Sequence, residues 1–225
     1  MIEINKDLDV VGCNVTIWRY MPINIFLKLI NNRELHFHRI DSYNDKKEGT
    51  LTTIDKKIFR YFSNSKEYWE RERKRHYVSC WIESPHELAL MWHTYGKEGV
   101  AIKTSVKSLI NSFDHDCDHK IYVSRVHYLD YDKDSSQYNG TPINILKIVF
   151  TKRKFYEQEK EIRLLYSYYN SPEGQEEKWY NLNCPIELMI EEIRLAPGIT
   201  MENEIIIRNL LKRNKIDIPV LKSEI

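Results

Sequence analysis

An α+β fold in one domain over residues 1–225, with mixed and antiparallel sheets flanked by helices, is what this sequence predicts, on three observations. Strand-like and helix-like patterns alternate along the chain, with no internal repeat and no linker-like stretch between them. With 225 residues and 42% apolar side chains, it can bury a sizeable core, yet it is short for two large domains. Only 7 Gly and 7 Pro stand against 15 Tyr and 5 Trp, which excludes collagen-like and low-complexity chains and favours dense aromatic packing.

Val15 to Tyr20 mixes β-branched and aromatic residues as a strand does. Pro22 then opens a helix with Ile23, Phe26, Leu27 and Ile30 on one face, and Asn31-Asn32 ends it. Leu35-His36-Phe37-His38 alternates as a half-buried strand, and SYNDKKEG follows as a polar turn. His76 to Ile82 reads as a strand, Ser84-Pro85 as a helix start, and Leu88, Met91, Trp92 and Tyr95 as one face of that helix. Val100-Ala101-Ile102 is another strand, after which Ser105 caps a helix carrying Leu109 and Ile110. Ile121 to Tyr128 is a further strand, and Ile143 to Phe150 reads as helical. Near the end come a short apolar element at Ile186 to Ile190, a strand closing in Leu195-Ala196-Pro197, a helix with Ile206, Leu210 and Leu211, and a strand near Val220.

Charge and cysteine usage remove several function classes. With 34 Lys+Arg against 33 Asp+Glu the formal charge is +1, so no whole-protein field favours polyanions or an anionic membrane. No apolar run reaches membrane-spanning length and MIEINKDLDVVG lacks signal-peptide order, so a cytoplasmic location without membrane partners is expected. Cys13, Cys80, Cys117 and Cys184 are scattered without a CxxC pair, which indicates neither structural zinc nor a disulfide framework. Asp114-His115-Asp116-Cys117-Asp118-His119 resembles a metal site in composition, but adjacent ligands seldom converge on one ion, and a solvated loop is expected. Arg71, Arg73, Lys74 and Arg75 interleave with Glu70 and Glu72, the pattern of a salt-bridged helix surface rather than a phosphate-binding face.

The most informative stretch runs from Lys152 to Tyr166. It leads into an alternating strand on which Glu159, Glu161 and Arg163 are expected to share one face. Ordered along the chain are Trp18-Arg19-Tyr20, Leu35-His36-Phe37, Asn44-Asp45 with Glu48, Tyr77-Val78-Ser79-Cys80-Trp81, Met91-Trp92 with Tyr95, Gly99 to Thr104, Lys152-Arg153 with Phe155, Glu159 to Arg163, Leu195-Ala196-Pro197 and Ser223. This order resembles an uncharacterised bacterial family, domain of unknown function 2971, with Asn44-Asp45-Lys46 replacing the family's usual Asn-Asp-Pro turn. More distantly, the order of an Arg strand, a Ser strand and a late Glu-x-Glu strand resembles ADP-ribosyltransferases of the Arg-Ser-Glu type.

That second resemblance implies an ADP-ribosyltransferase-like fold, with Arg19, Ser79 and Glu161 on the motif positions and Glu159 as the preceding glutamate. It implies NAD as substrate, no metal, and an ADP-ribosyltransferase or NAD glycohydrolase serving as an intracellular toxin or antiviral defence effector. The residue types suit that chemistry. Loss of nicotinamide from NAD develops an oxocarbenium-like ribose, which one fixed carboxylate at Glu161 would stabilise. Arg19 would hold phosphate or ribose through its planar fork, Ser79 would orient Glu161 or the ribose, and Tyr20, Trp81 or Tyr156 would stack on the cationic ring. Glu159 would position or deprotonate an acceptor, whether protein or nucleic acid.

Each residue also has a structural reading: Arg19 as ion-pair partner of Asp45 or Glu48, the Glu159 to Arg163 face as a surface ladder, Trp81 and Trp92 as core. Two other functions remain open on sequence alone. One is a metal-dependent hydrolase or nuclease built on Asp45, Glu48, Glu159 and Glu161, and the other a non-catalytic ligand-binding domain. The acceptor and the oligomeric state are left open.

Overall fold

The computed structural model describes residues 2–3, 8–60, 65–113, 120–137, 142–170 and 176–225. The expected metal-like run at 114–119 lies outside the described residues. In chain order the strands are β1 (Ile2–Glu3), β2 (Thr16–Met21), β3 (Glu34–Arg39), β4 (His76–Glu83), β5 (Val100–Ser105), β6 (Ile121–Arg125), β7 (His127–Leu129), β8 (Thr151–Arg153), β9 (Glu161–Ser167), β10 (Trp179–Asn183), β11 (Glu192–Leu195) and β12 (Val220–Lys222). The helices are α1 (Ile23–Asn32), α2 (Thr53–Phe59), α3 (Ser65–Arg73), α4 (Ala89–Tyr95), α5 (Val106–Asn111), α6 (Ile145–Val149), α7 (Ile186–Met189) and α8 (Met201–Arg213).

The fold is α+β, with a mostly antiparallel sheet ordered β1-β6-β9-β4-β2-β5-β11-β12, and β3 and β10 branching from β4. The branch positions the site. Along one edge β4 pairs with the whole of β9, from His76 opposite Ser167 to Ile82 opposite Glu161. Along the other edge it meets two different strands: its start pairs with β3 at Tyr77 and Val78, its end with β2 at Ile82 and Glu83. Ser79, Cys80 and Trp81 therefore lie between the two ladders, where β2 and β3 fork apart.

Period-two alternation decides what each face carries. Tyr77 and Trp81 of β4, with Ile162, Leu164 and Tyr166 of β9, join the largest core cluster. Val78 and Leu165, with Cys80 packed against them, join a second cluster with Ile40, Val149 and Phe150. Helix α1 buries Phe26 and Ile30 of the expected face on that first core together with Leu29, while Ile23 and Leu27 are only partly buried against it; each fully buried side chain stabilises the fold by roughly 1.5–3 kcal/mol. Ser105 caps α5 through Ser108 N–H, again as expected.

Four local expectations are corrected. Glu159 is not on a strand: residues Lys154–Glu159 form a 3₁₀ turn, and Lys160 takes a left-handed conformation (φ 43°) before β9 begins. Ser84-Pro85 does not start a helix; the Ser84 hydroxyl accepts the His86 N–H in a local turn, and α4 begins at Ala89. The Ile121 to Tyr128 strand breaks at Val126: β6 stays in the main sheet, and β7 pairs in parallel with β8 in a separate two-stranded sheet. In α8 the inward residue is Ile207, while Ile206 is 40% exposed.

Candidate functional site

Arg19 sits on β2 opposite Ile102 of β5, at the point where β2 leaves β4, and its side chain spans the fork. Nη1 donates to Ser79 Oγ at 2.7 Å and Nη2 to the His36 carbonyl of β3 at 3.2 Å. Trp81 supports this arrangement from below: its Nε1–H donates to the same Ser79 Oγ at 3.2 Å, and the guanidinium lies 5.8 Å from its ring centroid. Both acceptors of Arg19 are neutral, and among the described residues no carboxylate lies within ion-pair distance of it. Burial pulls its pKa below the ordinary arginine value, although a guanidinium stays charged.

A cavity of about 460 Å³ opens beside Arg19, within the size range of ligand pockets. Its walls come from β2, α1, β3 and β10, with His36, His38, Lys28, Trp179 and Asn181 as the side chains that offer chemistry. Burial and the nearby Arg19 charge lower the pKa of both histidines, that of His38 to about 4, so both are neutral at pH 7. His36 Nδ1 lies 2.8 Å from Asn181 Oδ1, and as Oδ1 can only accept, the ring donates there. Trp179, at the cavity wall, is 51% exposed as a residue.

Glu161 opens β9 and belongs to a buried charge network rather than to that cavity lining. Its carboxylate accepts from Arg163 Nε at 2.5 Å and from Lys152 Nζ at 3.0 Å, and Arg163 also bonds the carboxylate of Glu48. Lys152 bridges on to Glu159, which in turn accepts from the Tyr95 hydroxyl at 3.1 Å. Burial opposes the charge on Glu161, but Arg163 and Lys152 outweigh it and hold the carboxyl down at about 2. Burial and the Glu161 charge together push the Cys80 thiol up to about 12, so it remains a thiol that donates to Glu161.

Cys80 and Tyr43 connect the two regions. The Tyr43 hydroxyl lies 3.3 Å from Cys80 Sγ, and both groups are close enough to Arg19 and to Glu161 to bear on the charge of each. The structure thus joins Arg19 directly to Ser79, whereas the register of β4 and β9 turns Glu161, with Cys80 and Arg163, to the opposite face of the sheet from Ser79.

The other sequence candidates fall elsewhere. Trp81 is fully enclosed in the core. Tyr20 is buried against Trp92, with its hydroxyl accepting the Leu88 N–H at 2.9 Å. Tyr156 packs its ring on Lys152, 4.8 Å from Nζ, beside Glu159 rather than beside Arg19. Asp45 and Glu48 pair with Arg153 and Arg163, so neither is the partner of Arg19. The Glu161 to Arg163 face is no surface ladder, since Glu161 is 2% and Arg163 0% exposed.

Sequence reasoning missed His36, His38, Trp179, Asn181 and the roles of Lys152 and Arg163. The His-x-His alternation on β3 carried a signal, because buried Leu35 and Phe37 force the histidines to the opposite face. Nothing local announced that β10 pairs with β3 and brings Asn181 opposite His36.

Two solved structures are similar to this chain. Thermus sp. 2.9 DarT in complex with carba-NAD+ is 10% identical, with 95% of this chain and 97% of that chain covered and a TM-score of 0.43. Thermus sp. 2.9 DarT in complex with ADP-ribosylated ssDNA is 12% identical, with 96% and 97% covered and a TM-score of 0.42. No curated protein matches the chain. The family resemblance read from the ordered motifs is borne out over residues 91–164, a stretch that includes Glu161 and matches the family described as protein of unknown function (DUF2971).

Proposed function

We propose that this chain binds NAD at the fork of the sheet and cleaves it at the nicotinamide ribose, passing ADP-ribose to water or to an acceptor. The observation that carries this reading is Arg19: a guanidinium held by neutral acceptors only, on the wall of a 460 Å³ cavity, lacks a counter-charge that a phosphate would supply. An uncompensated cation inside a protein is costly, and a bidentate anion relieves that cost. Trp179 offers a ring face to a base or to the nicotinamide ring, and Asn181 and the neutral histidines offer hydrogen bonds to its ribose or amide.

In this reaction the bond between ribose C1′ and the pyridinium nitrogen breaks, and its electron pair leaves with nicotinamide, which becomes neutral. The cation left on the ribose is captured by a nucleophile that then sheds its proton. Glu161, held ionised by Arg163 and Lys152, is the carboxylate assigned to oppose that charge from the buried network, and Ser79 keeps Arg19 in place. Glu159 is the candidate to take the acceptor's proton. A toxin or antiviral defence role, which rests on the resemblance, and a cytoplasmic setting, which rests on the sequence pattern, are part of the same proposal; no helix among the described residues is long and apolar enough to cross a membrane.

One observation favours a second reading, a domain that binds the nucleotide without turning it over: Glu161 is enclosed and already paired with two cations. The metal-dependent alternative has less support, because Asp45, Glu48, Glu159 and Glu161 each face an arginine or lysine of the chain itself. Incubation with NAD, read as free nicotinamide and as label transferred to protein or nucleic acid, separates these readings. Nicotinamide release lost in Glu161→Gln supports cleavage. A melting shift with NAD and no product supports binding alone, and neither effect overturns both.

A further inference from the structure

We infer that the chain has a second ligand site, away from the Arg19 fork, which takes an aromatic ring bearing an acidic group, such as a nucleoside monophosphate unit. A cavity of about 470 Å³ is lined by Thr50, Leu51, Lys56, Phe59, Trp69, Glu70 and Arg73, contributed by the loop before α2, by α2 and by α3. Phe59 and Trp69 meet edge to face at 5.5 Å, so the cavity has an aromatic wall at which a flat ring can stack.

Arg73 supplies the anion-binding element. Its Nη2 donates to the Glu48 carbonyl at 2.9 Å, but its Nε is buried with no hydrogen-bond partner. No carboxylate among the described residues lies within ion-pair distance of it. Desolvation lowers its pKa and outweighs the nearby charges of Asp41, Glu70 and Glu48, none of which forms an ion pair with it. With Lys56 and Arg73 against Glu70, the lining carries one net positive charge. Aromatic faces beside a guanidinium with an unpartnered Nε–H and no ion pair among the described residues suit a planar base with its phosphate better than either part alone.

The site stands apart from the reading of the Arg19 cavity and does not depend on it. The test is calorimetric titration of the full chain with AMP, adenosine, inorganic phosphate and a short oligoadenylate. AMP is expected to bind at least about tenfold more tightly than adenosine or phosphate, and Arg73→Gln to weaken it about tenfold. Trp69→Leu should weaken AMP and adenosine alike, while Arg19→Ala should leave AMP binding at this site unchanged. Arg73→Lys, which keeps the charge, guards against a folding defect and should bind more tightly than Arg73→Gln. Binding of oligoadenylate well above AMP identifies the ring as part of a strand; equal binding identifies a free nucleotide. Absence of heat with every probe overturns the inference, as does binding abolished by Arg19→Ala and untouched by Arg73→Gln. Loss of NAD cleavage with this binding intact would count only against the proposed function.

Discussion

Replacing Arg163 with methionine should be the most destabilising single change at the buried network. Arg163 is 0% exposed and touches Glu161, Glu48 and the Val149 carbonyl, so its loss leaves two carboxylates, each 2% exposed, with Lys152 as the one remaining cation. Breaking a buried pair by removing one partner costs about 3–5 kcal/mol. For a chain of this length each kcal/mol lowers the melting temperature by about 2–4 °C, which places the loss at about 6–20 °C. The pH dependence gives a second reading. Glu161 titrates at about 2 in the fold against an ordinary 4.5, so its contribution is complete above pH 4.5 and is lost as pH falls through 2. Without Arg163 the folded value rises, and acid unfolding begins at higher pH. Adding Glu161→Gln and Glu48→Gln to Arg163→Met removes the uncompensated charges and should recover much of the stability. Thermal melts of the three proteins between pH 3 and 8 decide the matter. An Arg163→Met protein melting within about 2 °C of the parent would refute the reasoning.

Three further outcomes follow from the same coordinates. Arg19→Ala strips no carboxylate of its partner, so it should melt within about 4 °C of the parent and lose any NAD-dependent rise in melting temperature; a collapse in stability with the NAD response retained would assign Arg19 to structure. His76 is fully buried and its folded pKa is lowered to about 3 by desolvation, so it should stay neutral in the fold while the unfolded chain takes up a proton below about 6.5. Stability should therefore fall with pH from about 6.5 towards 3, and titration of His76 by NMR should show no protonation of the folded form at pH 5. A Cβ at Gly99 would lie 2.1 Å from the Met21 backbone oxygen, so Gly99→Ala must push β2 and β5 apart and should cost about 2 kcal/mol or more in urea unfolding.

The fold was legible wherever a local pattern met a local cause. Pro22 and the Ile23, Phe26, Leu27, Ile30 spacing define α1, and alternation defines β3, because helix and strand periods depend on neighbours in sequence alone. The pairing of Arg19 with Ser79 was legible only as an ordered resemblance, since 60 residues separate them. The misplacement of Glu159 has a definite cause: alternation carried the strand back past Lys160, while the left-handed backbone there ends the strand register and leaves Lys152 to bridge Glu159 and Glu161.

By itself, then, the sequence determined the α+β character, the helical and strand faces, and the residue types able to hold phosphate or oppose a ribose cation. Tertiary structure alone decided that β4 shares one edge between β2 and β3, that Arg19 stands in the resulting fork beside Asn181 and the two histidines, and that Glu161 is buried between Arg163 and Lys152. The reason lies in range. Periodicity is written in contacts a few residues apart, whereas the charge environment of a site is a sum over strands distant in the chain, and the fork exists only once those strands are paired.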